Sequence, residues 1–165
     1  MPRHAFPPPP IRQAGFSFIE LVATLAILAT LAAVALPLAE TTVRRHKEQE
    51  LRRALRDIRQ ALDAYKRAAD DGRIALSPER SGYPARLEEL VQGVPNAKQA
   101  GGTLRFLRRL PPDPFAADPM MPPAQSWATR SYDSPADAPH EGADVFDVYS
   151  RSEQIGLNGL PYREW

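Results

Sequence analysis

Between Phe16 and Leu38 polar side chains almost vanish. The run FSFIELVATLAILATLAAVALPL carries one carboxylate, Glu20, and the hydroxyls of Ser17, Thr24 and Thr30. Its 23 residues extend roughly 35 Å as a helix, enough for a ~30 Å hydrocarbon core with some tilt. A hydroxyl inside such a helix bonds back to the preceding turn, but Glu20 has no such route. Pro37 removes the amide that would bond the carbonyl of Ala33, which predicts a kink near the end of the run.

Beyond Glu40 the apolar positions thin out and become regular. Leu51, Leu55, Ile58, Leu62 and Tyr65 step by four, three, four and three, one narrow stripe along a helix. Charged side chains fill the other faces, with Arg53–Asp57 and Arg59–Asp63 at four-residue spacing. Gly72, just past Asp70 and Asp71, is the expected stop. A single helix over residues 17–71 is expected, roughly 80 Å long. The stripe reads as the seam on which a head packs; a subunit contact is the alternative.

After Gly72 the texture changes. Pro84 before ARLEELV predicts a short helix with proline in its first turn. Gly101–Gly102 break the chain, and the Pro-rich loop 111–125 holds six prolines. Residues 126–132 (SWATRSY) and 144–150 (DVFDVYS) read as strands joined by a Pro/Asp/Gly-rich connection. Asn158–Gly159 is a turn signal, and Tyr162 and Trp165 are placed to pin the last segment to a sheet or helix face.

Composition sharpens the division. Of 18 prolines, five precede residue 11 and twelve follow residue 77, leaving the helical stretch beyond Leu38 free of breakers. With 21 Lys and Arg against 20 Asp and Glu the net charge is +1, which excludes a globally basic nucleic-acid binder. The basic excess over residues 44–67 reads as a solvated face; a DNA or headgroup contact is the sharper alternative. There is no cysteine, hence no disulfide framework, thiolate metal site or cysteine nucleophile. His4, His46 and His140 lie far apart, and Asp137, His140, Glu141 and Asp144 sit in a Pro/Gly-rich connection that reads as a solvated turn. No enzyme is expected.

The chemistry concentrates at Ala14-Gly15-Phe16-Ser17-Phe18-Ile19-Glu20-Leu21. An ionised carboxylate in hydrocarbon costs several kcal/mol. It makes sense only where a cation meets it, and the chain supplies one if it is cut after Gly15, which frees the α-amino group of Phe16. On one helix the two are about a turn apart; between staggered copies they pair and exclude water. The segment resembles the class III signal of type IV pilins and type II secretion pseudopilins: a short basic leader ending in Gly, then Phe, then a carboxylate fifth in the mature chain. The resemblance implies cleavage between Gly15 and Phe16 by a prepilin peptidase, N-methylation of Phe16, and assembly roles for Glu20 and Pro37.

The rest is similar in outline to major pseudopilins, through Tyr83-Pro84 before LEELV, Leu110-Pro111-Pro112-Asp113-Pro114-Phe115, and Asp147-Val148-Tyr149-Ser150. The resemblance implies an α+β pilin-like fold: a long N-terminal helix, membrane-inserted in its first half, and a small C-terminal head containing a short antiparallel β-sheet. The segments are then a leader (1–15), a transmembrane and assembly helix (16–38), its amphipathic continuation (39–72) and a globular head (73–165). The family carries an Asp-rich calcium loop near the C-terminus, where this chain has RSEQIGLNGLPYREW. Glu153, Asn158 and serine oxygens are a thin set for an ion that takes six to eight oxygens. No cofactor is expected, with calcium left open.

The function so implied is a structural subunit of a periplasmic pseudopilus driving protein export by a type II secretion system. Its partners are further copies of itself, the prepilin peptidase, other pseudopilins and the inner-membrane assembly platform, with no nucleic acid. The location implied is the bacterial inner membrane, single-pass, with the head in the periplasm. Charge alone opposes that orientation, because Arg44, Arg45 and Lys47 outnumber Arg3 and Arg12 at the other flank. The alternatives are a type IV pilus pilin for motility, adhesion or DNA uptake, and a monomeric membrane-tethered binding domain or enzyme. An ordinary secretory signal with Ala33-Val34-Ala35 as cleavage site is a further one, as is a simple anchor; neither accounts for Glu20.

Overall fold

The computed structural model describes residues 15, 17–77 and 79–165, excluding the side chains of residues 34, 36 and 37. The architecture is α+β and pilin-like: a long N-terminal helix followed by a small head with short antiparallel sheets. Two compact units divide the chain, one through Thr42 and one from Val43 to Trp165.

Helix α1 (Phe18–Asp70) covers 53 residues without interruption, so the helical assignment holds on both sides of Glu40 and through Pro37. As far as Leu38 it is almost wholly apolar, and its described side chains there are exposed. The hydroxyls of Thr24 and Thr30 bond back to the carbonyls of Leu21 and Ile27 at 2.9 and 2.8 Å. Ser17 stands just before the helix.

In the second unit α1 is the spine of the head. The stripe is the seam on which the head packs: Leu51, Leu55, Ile58, Leu62 and Tyr65 are each at most 2% exposed. Each buried aliphatic side chain contributes about 1.5–3 kcal/mol relative to exposure. The helix ends as its sequence indicates. Gly72 adopts a left-handed φ of 66°, the Gly72 amide donates to Ala69 and the Arg73 amide donates to Ala68. This paired closure satisfies two carbonyls of the last turn. The four-residue ion pair that forms is Lys66–Asp70. Arg59 instead donates to Asp147 across the head at 2.8 Å.

The head is assembled from short pieces. Helix α2 (Glu89–Gln92) is shorter than the expected one and begins five residues after Pro84, which is therefore not in its first turn. The Pro84 carbonyl accepts the Val145 amide instead, while Leu87 and Leu90 are buried. Strands β1 (Val94–Pro95) and β2 (Thr103–Leu104) form a small antiparallel ladder around Gly101–Gly102, which composition marked only as a break. The short helix α3 (Pro123–Ser126) leads directly into β3 (Trp127–Arg130). β3 pairs antiparallel with β4 (Asp147–Ser150), Trp127 opposite Ser150 and Arg130 opposite Asp147. Both expected strands are present, the first trimmed at both ends and the second at its start. Tyr162 is fully buried in a single 3-10 turn (Tyr162–Glu164) that closes the head.

Tyr65 closes the seam. Burial away from water, reinforced by the Glu89 carboxylate that accepts its hydroxyl at 3.2 Å, pushes its phenol up to about 12. The folded value lies above the ordinary 10.0. The stabilisation is therefore complete below the unfolded value and is lost as pH rises through the folded one. Thermal unfolding scanned across that alkaline window is expected to show a shallower loss of Tm in Tyr65→Phe than in the parent chain. An identical alkaline slope in the two proteins contradicts the assignment.

Candidate functional site

The start of α1 is where the sequence places its chemistry. Gly15 is exposed, stands outside the helix, and has nothing within 4 Å of where a Cβ would sit. Phe16, the expected new N-terminus, lies outside the described residues. The Ser17 carbonyl accepts the Leu21 amide at 3.1 Å, so Phe18, Ile19 and Glu20 form the first turn. A carboxylate there gains from the partial positive charge at the helix N-terminus, about 0.3–1 kcal/mol. That is too little to offset the several kcal/mol of placing it in hydrocarbon. Within hydrocarbon the carboxylate would call for a full cation beside it.

Around Glu20 the surface is oily. Phe18 is 84% exposed and Ile19 75%, and Leu25, Ile27, Leu28 and Leu31 are exposed as well. A contiguous apolar surface of this extent marks contact with lipid or with other chains. Among the described residues, α1 is the one helix long and apolar enough to cross a membrane. Pro37 lies within α1, but its side chain is outside the described set.

A second cluster, which the sequence did not reveal, lies further along α1. Glu48 is 6% exposed; its Oε1 accepts the Tyr162 hydroxyl at 3.0 Å and the Leu157 amide at 2.7 Å. One turn earlier Arg44 donates through Nε to the Tyr162 oxygen at 3.2 Å and through Nη2 to the Ile155 carbonyl. Burial holds the Tyr162 phenol above its ordinary value; the Arg44 bond opposes this and Glu48 adds to it. Arg44 and Glu48 are four apart, which alone reads as a surface pair. Their partners lie more than 100 residues away, beyond the reach of any local pattern.

These contacts organise the C-terminal segment that takes the place of the family's calcium loop. Asn158 Oδ1 accepts the Leu160 amide, the Gly156 amide donates to Leu160, and Ile155 bridges to Pro161. Among the described residues, no three His, Asp or Glu side chains gather as metal ligands.

The Pro-rich loop is anchored through its acid. Asp113 is 4% exposed. Its carboxylate accepts the Ser150 hydroxyl at 2.6 Å and the Phe115 amide at 2.8 Å, while its own amide donates to Ser126 Oγ. Trp127 Nε1 donates to the Pro111 carbonyl at 2.9 Å, and Phe115 stacks on Tyr162 at 3.9 Å. The segments LPPDPF and DVYS thus meet through one buried carboxylate. Arg59 adds a clamp from α1, bonding Asp147 and the carbonyls of Val148 and Trp165.

The acidic connection is held by local hydrogen bonds. Asp144 accepts from the Ser131 and Ser81 hydroxyls and the Tyr132 amide. The His140 amide donates to Ser134 Oγ, and its ring is exposed beside the Glu141 carbonyl. These bonds hold a surface turn.

Residues 11–36 match the family model of the prokaryotic N-terminal methylation motif, the type IV pilin-like prepilin signal. The match begins before Gly15 and ends inside the apolar part of α1, so it takes in Gly15, Phe16 and Glu20 together. No curated protein and no solved structure gives a significant match to this chain.

Proposed function

We propose that this chain is a structural subunit of a periplasmic pseudopilus that drives protein export by a type II secretion system. The observation that carries the reading is Glu20, an acid in the first turn of an apolar helix, directly behind a Gly-Phe junction inside a methylation motif. A prepilin peptidase cuts between Gly15 and Phe16 and methylates the new amine, which remains a cation. That ammonium sits at the positive end of the helix dipole, so it too gains from a carboxylate partner. The chain is anchored in the inner membrane by residues 16–38, with its head in the periplasm. Assembly replaces lipid around these helices with one another, and Glu20 of one copy meets the amine of the next. A misplaced copy leaves a charge unpaired in an apolar surround, which sets the register.

The role is mechanical rather than enzymatic. Support for secretion over pilus function comes from the head, where the buried Asp113 joins the two segments that resemble major pseudopilins, and from the lack of cysteine for the C-terminal disulfide loop of many pilins. Deleting the chain from its host is expected to strand exported proteins in the periplasm while surface fibres persist. Intact export with loss of motility, adhesion or DNA uptake contradicts secretion and selects the type IV pilus reading.

A further inference from the structure

The compact unit from Val43 to Trp165 carries both an exposed apolar turn and a groove. Ile155, Leu157 and Leu160 are 57%, 46% and 50% exposed. They sit on one tight hairpin, closed by the Gly156–Leu160 hydrogen bond and the Ile155–Pro161 bridge. Single apolar residues are ordinary on a surface, but three on one braced turn mark a contact. The bracing comes from Arg44 and Glu48, which bond the Ile155 carbonyl and the Leu157 amide.

The groove is open and holds about 770 Å³. One wall is α1, where Ala54, Ala61 and Ala64 leave room; the other is segment 106–114, with Leu107, Pro111 and Pro114. At 3.6 residues per turn, Arg44 and Glu48 lie on the side of α1 opposite the groove residues, about 16 Å away along the axis. The hairpin therefore cannot fill the groove of its own head. Charge also matches between the two. Glu153 stands before the hairpin and Arg163 after it, both exposed. The groove offers the opposite signs on separate walls: exposed Arg108 and Arg109 on segment 106–114, and exposed Glu50 and Asp57, on either side of Arg53, on α1. Among the described residues, none of these charges has an ion-pair partner.

We propose that the hairpin 155–160 of one copy docks in the groove of a second copy of this chain. Ile155, Leu157 and Leu160 enter between α1 and segment 106–114, Glu153 meets Arg108 and Arg109, and Arg163 meets Glu50 and Asp57. Two different surfaces of one unit meet in this contact, so every copy still has a free hairpin at one end and a free groove at the other. Such a head-to-tail contact builds an open helical array rather than a closed pair. The offset between hairpin and groove along α1 staggers parallel copies instead of setting them level. The proposal rests on the reading of the chain as a fibre subunit.

Because the chain lacks cysteine, introduced thiols report cleanly. Two populations of the full chain, Leu157→Cys on the hairpin and Gln60→Cys in the groove, are assembled together and treated with a short bis-maleimide. Docking predicts cross-linked dimers from the mixture and none from either population alone. Adding Glu153→Arg to the hairpin chain is expected to lower the yield several-fold. Adding Arg108→Glu and Arg109→Glu to the groove chain should then restore it. Fibres that assemble without the 157–60 cross-link, or that link 157 to 157 equally well, overturn the docking and leave the fibre reading standing. A yield that neither charge reversal moves also overturns it, since crowding in the fibre alone would give that result. Chains that stay monomeric, with no fibre and no cross-link, overturn the fibre reading together with the docking.

Discussion

Glu20→Ala is expected to be inserted, cleaved and methylated normally and then to be nearly absent from the fibre. Its mature mass should begin at Phe16 with one added methyl, because Gly15 and the junction before α1 are untouched. Assembly is a different matter. Removing one member of a buried ion pair leaves the other uncompensated, at a cost of about 3–5 kcal/mol. At about 1.4 kcal/mol per tenfold change, incorporation beside the parent chain falls by roughly a hundredfold or more. The apolar helix surface is unchanged by the substitution, so a purely hydrophobic assembly would tolerate it or even favour it. Incorporation at parental levels therefore counts directly against the ion pair, whereas failure of cleavage would assign Glu20 to the peptidase instead. Quantitative mass spectrometry of fibres formed by mixed chains separates these outcomes.

The second large effect concerns the head. Ile58 is completely buried in the seam between α1 and the rest of the head. Truncating it to alanine removes apolar contact and leaves a cavity, together about 2–5 kcal/mol. Against a total stability of about 5–15 kcal/mol, that is a large fraction, and Tm should fall by roughly 10 °C. Arg53, one face away and exposed, is the matched control; Arg53→Ala should stay within about 0.5 kcal/mol of the parent. Monomeric chain in detergent is the required sample, since a stripe that served as a subunit contact would leave monomer Tm unchanged in both variants. Equal Tm values for Ile58→Ala and the parent chain refute the seam.

What sequence could and could not show follows from the range of the interactions. The extent of α1, its stripe and its glycine stop are set by neighbours three to five positions apart, so spacing reveals them. The same holds for β3 and β4, whose β-branched and aromatic residues are bounded by prolines and glycines. The helix expected after Pro84 shrank to Glu89–Gln92. The Pro84 carbonyl is used by Val145, and the chain there follows the core through Leu87 and Leu90. The β1–β2 ladder escaped notice because two residues per strand carry no period. Glu48 escaped for another reason: an acid on a charged helix face looks solvated until Tyr162 and Leu157 arrive from the far end of the chain. Of the residues expected to act in processing and assembly, Gly15 stands in open backbone and Glu20 in the first turn of α1.

The two ends of α1 divide the labour of the proposed subunit. The first carries Glu20, the charge proposed to set register. The second carries Arg44 and Glu48, which hold the closing hairpin of the head, and the stripe that holds its core. Lys47, 5.8 Å over the Phe115 ring, and Arg52, 4.4 Å over the Trp165 ring, extend the same grip through cation–π contacts.

The ion pair between neighbouring copies is open to direct observation. Fibres are assembled from two chain populations, one with its α-amine nitrogen isotopically labelled and the other labelled at the glutamate side-chain carboxyl carbon. Solid-state dipolar coupling then reads contacts between different chains alone. Coupling between the methylated Phe16 nitrogen and the Glu20 carboxyl carbon, at the separation of an ion pair within about 4 Å, is the result predicted here. A methylated amine with no glutamate carbon of another chain at that range contradicts the account.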